Sequence, residues 1–316
     1  MRHIAADEEK LLRAIAEHHI PALARSQIDP LPSAEGNRAY LFNAGPRLRV
    51  IVRLVEDLKI HKLQDELCAI DILTQAGLPV PEVLVADLSK SRFPVLYRIT
   101  RFIEGYDLEE GITTGRVGEE DEVSLAAAWG ELMGKFHAIH GTTLAKPGLH
   151  EQPSPASWPE FLGRLIDKHV KLARTRALID ASTQARLQSL CTASLDALDP
   201  GIGGEFTHRD LHPGNVIIEE RGIGYFLNGI IDLEHCRFWD RLWDFAKLEW
   251  FVFDRHPSLR EPFLRAYQAL QPRPPDFDQR TRLYRAAEAL ISLTYFSGLD
   301  SAKAELFTRA LAAELR

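Results

Sequence analysis

The sequence predicts an α+β protein of two lobes: a small β-rich N-terminal lobe with one key helix, residues 1–104, and a larger, mainly helical C-terminal lobe, residues 105–316. Three observations carry this reading. Between residues 33 and 105, strand-type runs rich in β-branched and aromatic residues are broken by Gly and Pro, and only one stretch has helical spacing. After Gly105 helical periodicity dominates. Within that second part a single hairpin pattern stands out, 215–219 with 226–233 joined by the turn ERGIGY.

In chain order, 6–20 reads as a helix with Leu11, Leu12, Ile15 and Ala16 on one face. Residues 33–42 and 48–55 read as two strands around a Gly45-Pro46 break. In the second strand Val50 and Val52 share one face and Arg49, Ile51 and Arg53 the other. Residues 62–77 form the key helix, with Leu63, Leu67, Ile70, Leu73 and Ala76 at helical spacing and Gly77 at the C-terminal cap. Strands follow at 78–87 and 93–105. Helices are then expected over 125–140, 158–179, 182–198, 240–252, 258–270, 279–296 and 301–315.

Composition narrows the class. The chain is 45% apolar and 26% charged, as in an ordinary globular protein. A net charge of −7 argues against non-specific nucleic-acid binding. The first twenty residues lack the apolar core of a signal peptide, and no run reaches the ~18 apolar residues of a membrane span. Cys68, Cys191 and Cys236 are far apart and odd in number. These features predict a reduced, cytoplasmic setting, no nucleic acid and no membrane. Oligomeric state is not legible. From Glu104 to Glu122, eight acids face one base, Arg116. Two readings stand there: a solvated loop and helix start, or an acidic rim that attracts a cationic substrate.

The chemistry concentrates in His208-Arg209-Asp210-Leu211-His212-Pro213-Gly214-Asn215, which runs directly into Val216-Ile217-Ile218. An aspartate and an asparagine five positions apart, on a turn before a strand, suit phosphoryl transfer, which needs positioning and charge neutralisation more than covalent chemistry. Asp210 can accept the hydrogen bond of an attacking hydroxyl and take its proton late. Asn215 offers an oxygen to Mg²⁺. The hairpin returns the chain to Asp232, a second metal ligand close to Asn215. His208 and Arg209 read as braces of the loop.

With these residues the sequence resembles the aminoglycoside phosphotransferase family, a branch of the bilobal protein-kinase-like fold. HRDLHPGNVI carries the resemblance, and LPVPEVL, GELMGKFHAIH and WDRLWDFAKL fall in the family's order, over roughly residues 30–300. The resemblance implies Asp210 as catalytic base, Asn215 and Asp232 as metal ligands, and Arg53 as the strand cation that grips the α- and β-phosphates. Glu66 would orient Arg53. Ile99, Thr100 and Arg101 would form the adenine hinge, and Ser33, Gly36 and Asn37 the loop over the phosphates. Arginine at 53 departs from the protein-kinase lysine, yet a guanidinium binds phosphate bidentately. His212 stands where serine/threonine protein kinases usually carry a lysine. The rich glycine loop and the Ala-Pro-Glu element are missing, which disfavours a protein substrate.

The implied cofactors are Mg²⁺ and ATP or GTP as phosphate donor. The implied acceptor is a small, cationic molecule with a hydroxyl group, first of all an aminoglycoside or related antibiotic, with His212, Glu234, Glu249 and Asp254 as candidate contacts. Alternatives are a metabolite kinase (homoserine, choline, a sugar or an amino sugar), a macrolide phosphotransferase, and a non-catalytic nucleotide-binding pseudokinase.

Overall fold

The computed structural model describes residues 4–31, 38–141, 144, 146–147, 157–222 and 224–316. In chain order the elements are α1 (Ala6–His19), β1 (Gln27–Leu31), β2 (Arg38–Asn43), β3 (Arg49–Val55), α2 (Ile60–Gln75), β4 (Val83–Asp87), β5 (Leu96–Arg101), β6 (Tyr106–Asp107) and α3 (Leu108–Thr113). Then come α4 (Glu119–His137), α5 (Trp158–Thr175), α6 (Ala181–Leu195), β7 (Glu205–Thr207), β8 (Val216–Arg221), β9 (Gly224–Ile230) and β10 (Arg237–Trp239). The chain ends with α7 (Phe245–Leu248), which runs on as a π turn over Glu249–Phe253, then α8 (Arg260–Leu270), α9 (Phe277–Phe296) and α10 (Ser301–Glu314).

These elements form two compact units, 1–114 with 214–235, and 115–213 with 236–316. The expected lobes, 1–104 and 105–316, differ at two places. The hairpin β8–β9, read as part of the second lobe, groups with the N-terminal strands, and so does the segment 105–114. The cause is local. β6 pairs antiparallel with β8, Tyr106 opposite Ile218 and Asp107 opposite Ile217. The Asn228 amide donates to the Glu104 carbonyl at 2.7 Å, and the Ile230 N–H donates to the Pro79 carbonyl at 2.9 Å. Gly105 enters this pairing with φ of +120°, and any Cβ there would strike the Ile218 carbonyl.

The first unit is built on an antiparallel sheet in the order β1-β2-β3-β5-β4. Alternation along β3 buries Val50, Val52 and Leu54 under α1, whose Leu12, Ile15 and Ala16 complete that core. The opposite face presents Arg53 to α2. β1 was not foreseen, since Pro30 argues against a strand. An edge strand tolerates it, because one side of its ladder is unpaired.

The second unit is helical, with α4 against α8 and α9 beside α5, α7 and α10. Its aromatic core joins Trp158, Trp239, Trp243 and Tyr284, and the indole N–H of Trp158 donates to Tyr284 at 2.8 Å. β7 and β10 form a small two-stranded sheet, too short to show in sequence pattern. The acids of 104–122 lie mainly at helix starts. Asp107 caps α3 by accepting from the Glu110 N–H at 2.8 Å, and Glu119, Glu120, Asp121 and Glu122 fill the first turn of α4. Acids there complement the helix dipole, so the bland reading accounts for them. Among the described residues, no helix is long and apolar enough to cross a membrane.

Candidate active site

The loop 207–213 of the second unit carries Asp210. Its backbone is fixed from behind by Asp244, which is almost fully buried. The Asp244 carboxylate accepts from the His208 N–H at 2.8 Å, from the Arg209 N–H at 2.6 Å and from the His137 Nε2 at 3.1 Å. His137 is held in turn by Tyr267, 2.9 Å from its Nδ1. The His208 Nδ1 accepts the Asp210 N–H at 3.2 Å. Two adjacent amides on one carboxylate force a tight turn, and Arg209 adopts φ of +66°, a conformation that a non-glycine residue keeps only when its surroundings impose it. The Arg209 guanidinium lies 3.9 Å above the Trp239 ring, a cation–π contact that seats the loop on the aromatic core. His208 and Arg209 are thus braces, as expected.

A residue missed in the sequence completes this half. The Lys247 ammonium, on α7, donates to Asp210 Oδ1 at 2.5 Å and lies 3.7 Å from Glu288 on α9. Burial alone would raise the proton affinity of Asp210. The Lys247 charge and hydrogen bond, with His212 and His208, outweigh burial and hold the carboxyl well below the usual range. Burial would likewise strip the proton from Lys247, but Glu288 and Asp210 push its affinity above the ordinary lysine value. The only signal in sequence was the spacing in Asp244-Phe245-Ala246-Lys247, one helical turn.

The first unit holds a second charged group. The Arg53 guanidinium donates to Glu66 at 3.1 Å and to Glu234 at 2.9 Å. Lys62, one turn before Glu66 on α2, donates to Glu234 at 3.0 Å. Arg98 stands directly opposite Arg53 in the β3–β5 register. Two like charges in that position repel. Glu66 resolves the conflict by also accepting from Arg98 at 2.6 Å. Burial would lower the Arg53 proton affinity, but Glu66, Glu234 and Asp232 raise it.

Asn215 and Asp232 lie at the open end of the hairpin. β8 begins at Val216 opposite Ile230, and the Ile231 N–H donates to the Asn215 carbonyl at 3.0 Å, so Asp232 follows one step beyond. Asp232 has φ of +63°, the strained counterpart of Arg209. Among the described residues, no group of three or more His, Cys, Asp or Glu forms a closed metal cage. A carboxylate and an amide oxygen suit Mg²⁺, which takes few protein ligands and completes its shell with water and phosphate. The donor set therefore fits that ion.

Other expected residues are placed differently. Ser33, Gly36 and Asn37 lie outside the described residues. Ile99, Thr100 and Arg101 are inside β5, which pairs with β3 on one side and β4 on the other. β5 ends at Arg101, and residues 102–105 lead from it to β6. Glu234, expected at the acceptor, is buried and engaged by Arg53 and Lys62. Glu249 pairs with Arg260 at 2.8 Å. Asp254 is exposed on a groove of about 340 Å³ lined with Trp250, Phe251 and Phe307. His212 is half-buried beside Asp210.

The fold is that of the protein-kinase-like phosphotransferases. The chain belongs to the phosphotransferase enzyme family, whose sequence model matches residues 27–283. No curated protein matches the sequence. Among solved structures it is similar to the GDP complex of wild-type aminoglycoside 2'-phosphotransferase-IIIa, at 16% identity over 96% of this chain and 97% of that one, TM-score 0.71. It is also similar to the streptomycin–ATP complex of APH(2″)-IIa, at 15% identity over 99% and 97%, TM-score 0.67. A candidate fructosamine-3-kinase from Haemophilus somnus 129PT matches at 16% identity over 98% of each chain, TM-score 0.66.

Proposed function

We propose that this enzyme transfers the γ-phosphate of ATP or GTP to a hydroxyl of a cationic, amine-bearing small molecule, with aminoglycosides as the first acceptor class. The observation that carries this reading is Asp210, kept ionised beside Lys247 on a loop whose backbone is clamped by Asp244. Such a carboxylate orients an acceptor hydroxyl and takes its proton as the bond to phosphorus forms.

In this reading Arg53, aligned by Glu66, grips the donor phosphates, and the loop with Ser33, Gly36 and Asn37 covers them. Residues 1–104 serve the nucleotide, and 105–316 supply the catalytic groups and bind the acceptor. Asn215 and Asp232 hold Mg²⁺, which supplies charge neutralisation for the phosphates when bound. Asp254, exposed on an aromatic-lined groove, is the best remaining contact for an acceptor amine, and His212 lies beside the base. The cytoplasm is the compartment this chemistry implies.

A second reading, a metabolite kinase of the same fold, is favoured by one observation. Two acids once open to a polycation are engaged: Glu234 with Arg53 and Lys62, and Glu249 with Arg260. The deciding experiment measures ADP or GDP release with Mg²⁺ over a panel of aminoglycosides, macrolides, homoserine, choline and amino sugars, for wild type and Asp210→Ala. Stimulation by kanamycin or a relative supports the first reading, and stimulation by a metabolite alone supports the second. No stimulation above Asp210→Ala by any acceptor would sink the kinase reading.

A further inference from the structure

We propose that Lys247 is a positioning residue for phosphoryl transfer: its ammonium, braced by Glu288, binds one oxygen of Asp210 and aims the other at the acceptor hydroxyl. The inference rests on the reading of Asp210 as base.

The geometry is specific. Asp244 and Lys247 are three residues apart, one turn of the segment that leads into α7. From that single turn, Asp244 holds the backbone of the loop through two amides while Lys247 holds the side chain it carries. A carboxylate turns about its terminal torsion over a broad, shallow range. A donor on Oδ1 removes that freedom. Both side chains are mostly buried, at 19% and 23% exposure, so solvent screens the pair weakly.

The ammonium is also braced from behind. Glu288 lies 3.7 Å from it, and Glu288 accepts from the Trp243 indole at 3.0 Å and from Ser292 at 3.3 Å. A buried lysine without such partners tends to give up its proton. With carboxylates on two sides, Lys247 stays charged, and its charge keeps Asp210 deprotonated. Here the cation reaches the base from a helix, while His212 occupies the loop place that holds lysine in serine/threonine protein kinases.

The acceptor oxygen bonds to the γ-phosphorus while the bond from phosphorus to the nucleoside diphosphate oxygen breaks. The hydroxyl proton passes to Asp210 and then to solvent. A base beside an ammonium is weak, so it takes the proton only when the acceptor oxygen has begun to bond, in keeping with a loose transition state.

The test has two arms. The first is ¹³C NMR of the aspartate carboxyls in the full-length protein, with Asp210→Asn identifying the resonance. In wild type the Asp210 carbon should stay ionised below the ordinary aspartate value of about 4. Titration in the ordinary range would overturn the proposal without any lysine variant. The second arm is kcat against pH with MgATP and kanamycin, or the panel compound that stimulates most, for wild type, Lys247→Met and Lys247→Arg. Lys247→Met should lower kcat by about 100-fold, a typical share for positioned acid–base chemistry, leave the KM for MgATP within about threefold, and move the acidic limb up by about one pH unit or more. Lys247→Arg should recover at least about tenfold of that loss and return the limb to its wild-type position, since it keeps the charge. A folded Lys247→Met with an unmoved limb and near-normal kcat would defeat the proposal. Should Asp210→Asn itself retain activity, the reading of the base fails instead.

Discussion

The two charged groups are held in different ways. Around Arg53, each contact described runs between long side chains: Glu66 from a helix, Glu234 from the end of a hairpin, Lys62 one turn along the helix and Arg98 from the next strand. Around Asp210, the loop is fixed through its backbone, with two adjacent amides on one buried carboxylate, and Lys247 then holds the side chain. Side chains can exchange partners at little cost when a phosphate arrives, because each keeps its charge compensated. A backbone cannot leave Asp244 without stranding two buried N–H groups. Under the proposed function the difference suits two tasks, an adaptable grip on the donor and a rigid mount for the base.

The largest expected effect separates these tasks. Asp210→Asn should lower kcat by about 10²–10⁴-fold with nucleotide affinity nearly intact, whereas Asp232→Ala should weaken MgATP binding as well as turnover. Isothermal titration with the nucleotide checks this, and equal affinity in the two variants would break the comparison. Next, Asp244→Ala removes the acceptor of both loop amides and of His137. It should cost about 3 kcal/mol in urea unfolding and lower kcat, since one partner of a buried charged network is lost.

Acid pH tests the same half more gently. Asp210 and Asp244 both have folded values below those of the unfolded chain, so their stability is fully present above the unfolded carboxylate range and lost as pH falls through the depressed values. Melting temperature should hold from neutral pH to about 5 and decline below about 4, more shallowly in Asp244→Asn. The smallest effect concerns the Arg49–Glu104 ion pair, which is partly exposed. Glu104→Gln should change stability by less than about 1 kcal/mol.

The placement of Asp210, Asn215 and Asp232 was legible because they sit in one short run and one hairpin, where spacing alone limits geometry. The helix α2 and the alternation of β3 were equally plain, and with them Arg53 and Glu66. Long-range placement was not. Lys247 lies 37 residues after Asp210, and nothing local tells which carboxylate its helix face meets. Glu234 seemed an acceptor contact because it follows Asp232 so closely; the structure turns it instead to Arg53 and Lys62. The hinge was set inside β5 because a strand's end is blurred where apolar residues run on to Phe102 and Ile103. β7 and β10, three residues each, show no period in a sequence.

Gly105 has a wider consequence. A side chain at Gly45, Gly77 or Gly115 would meet nothing within 4 Å, whereas at Gly105 it would meet the Ile218 carbonyl, in the middle of the strand that carries Asn215 at its mouth. The residue lies far along the chain from the motif, and no reacting group touches it. At this position even a single methyl would dislodge the hairpin, so the closeness of two backbone segments depends on a residue that has no side chain at all.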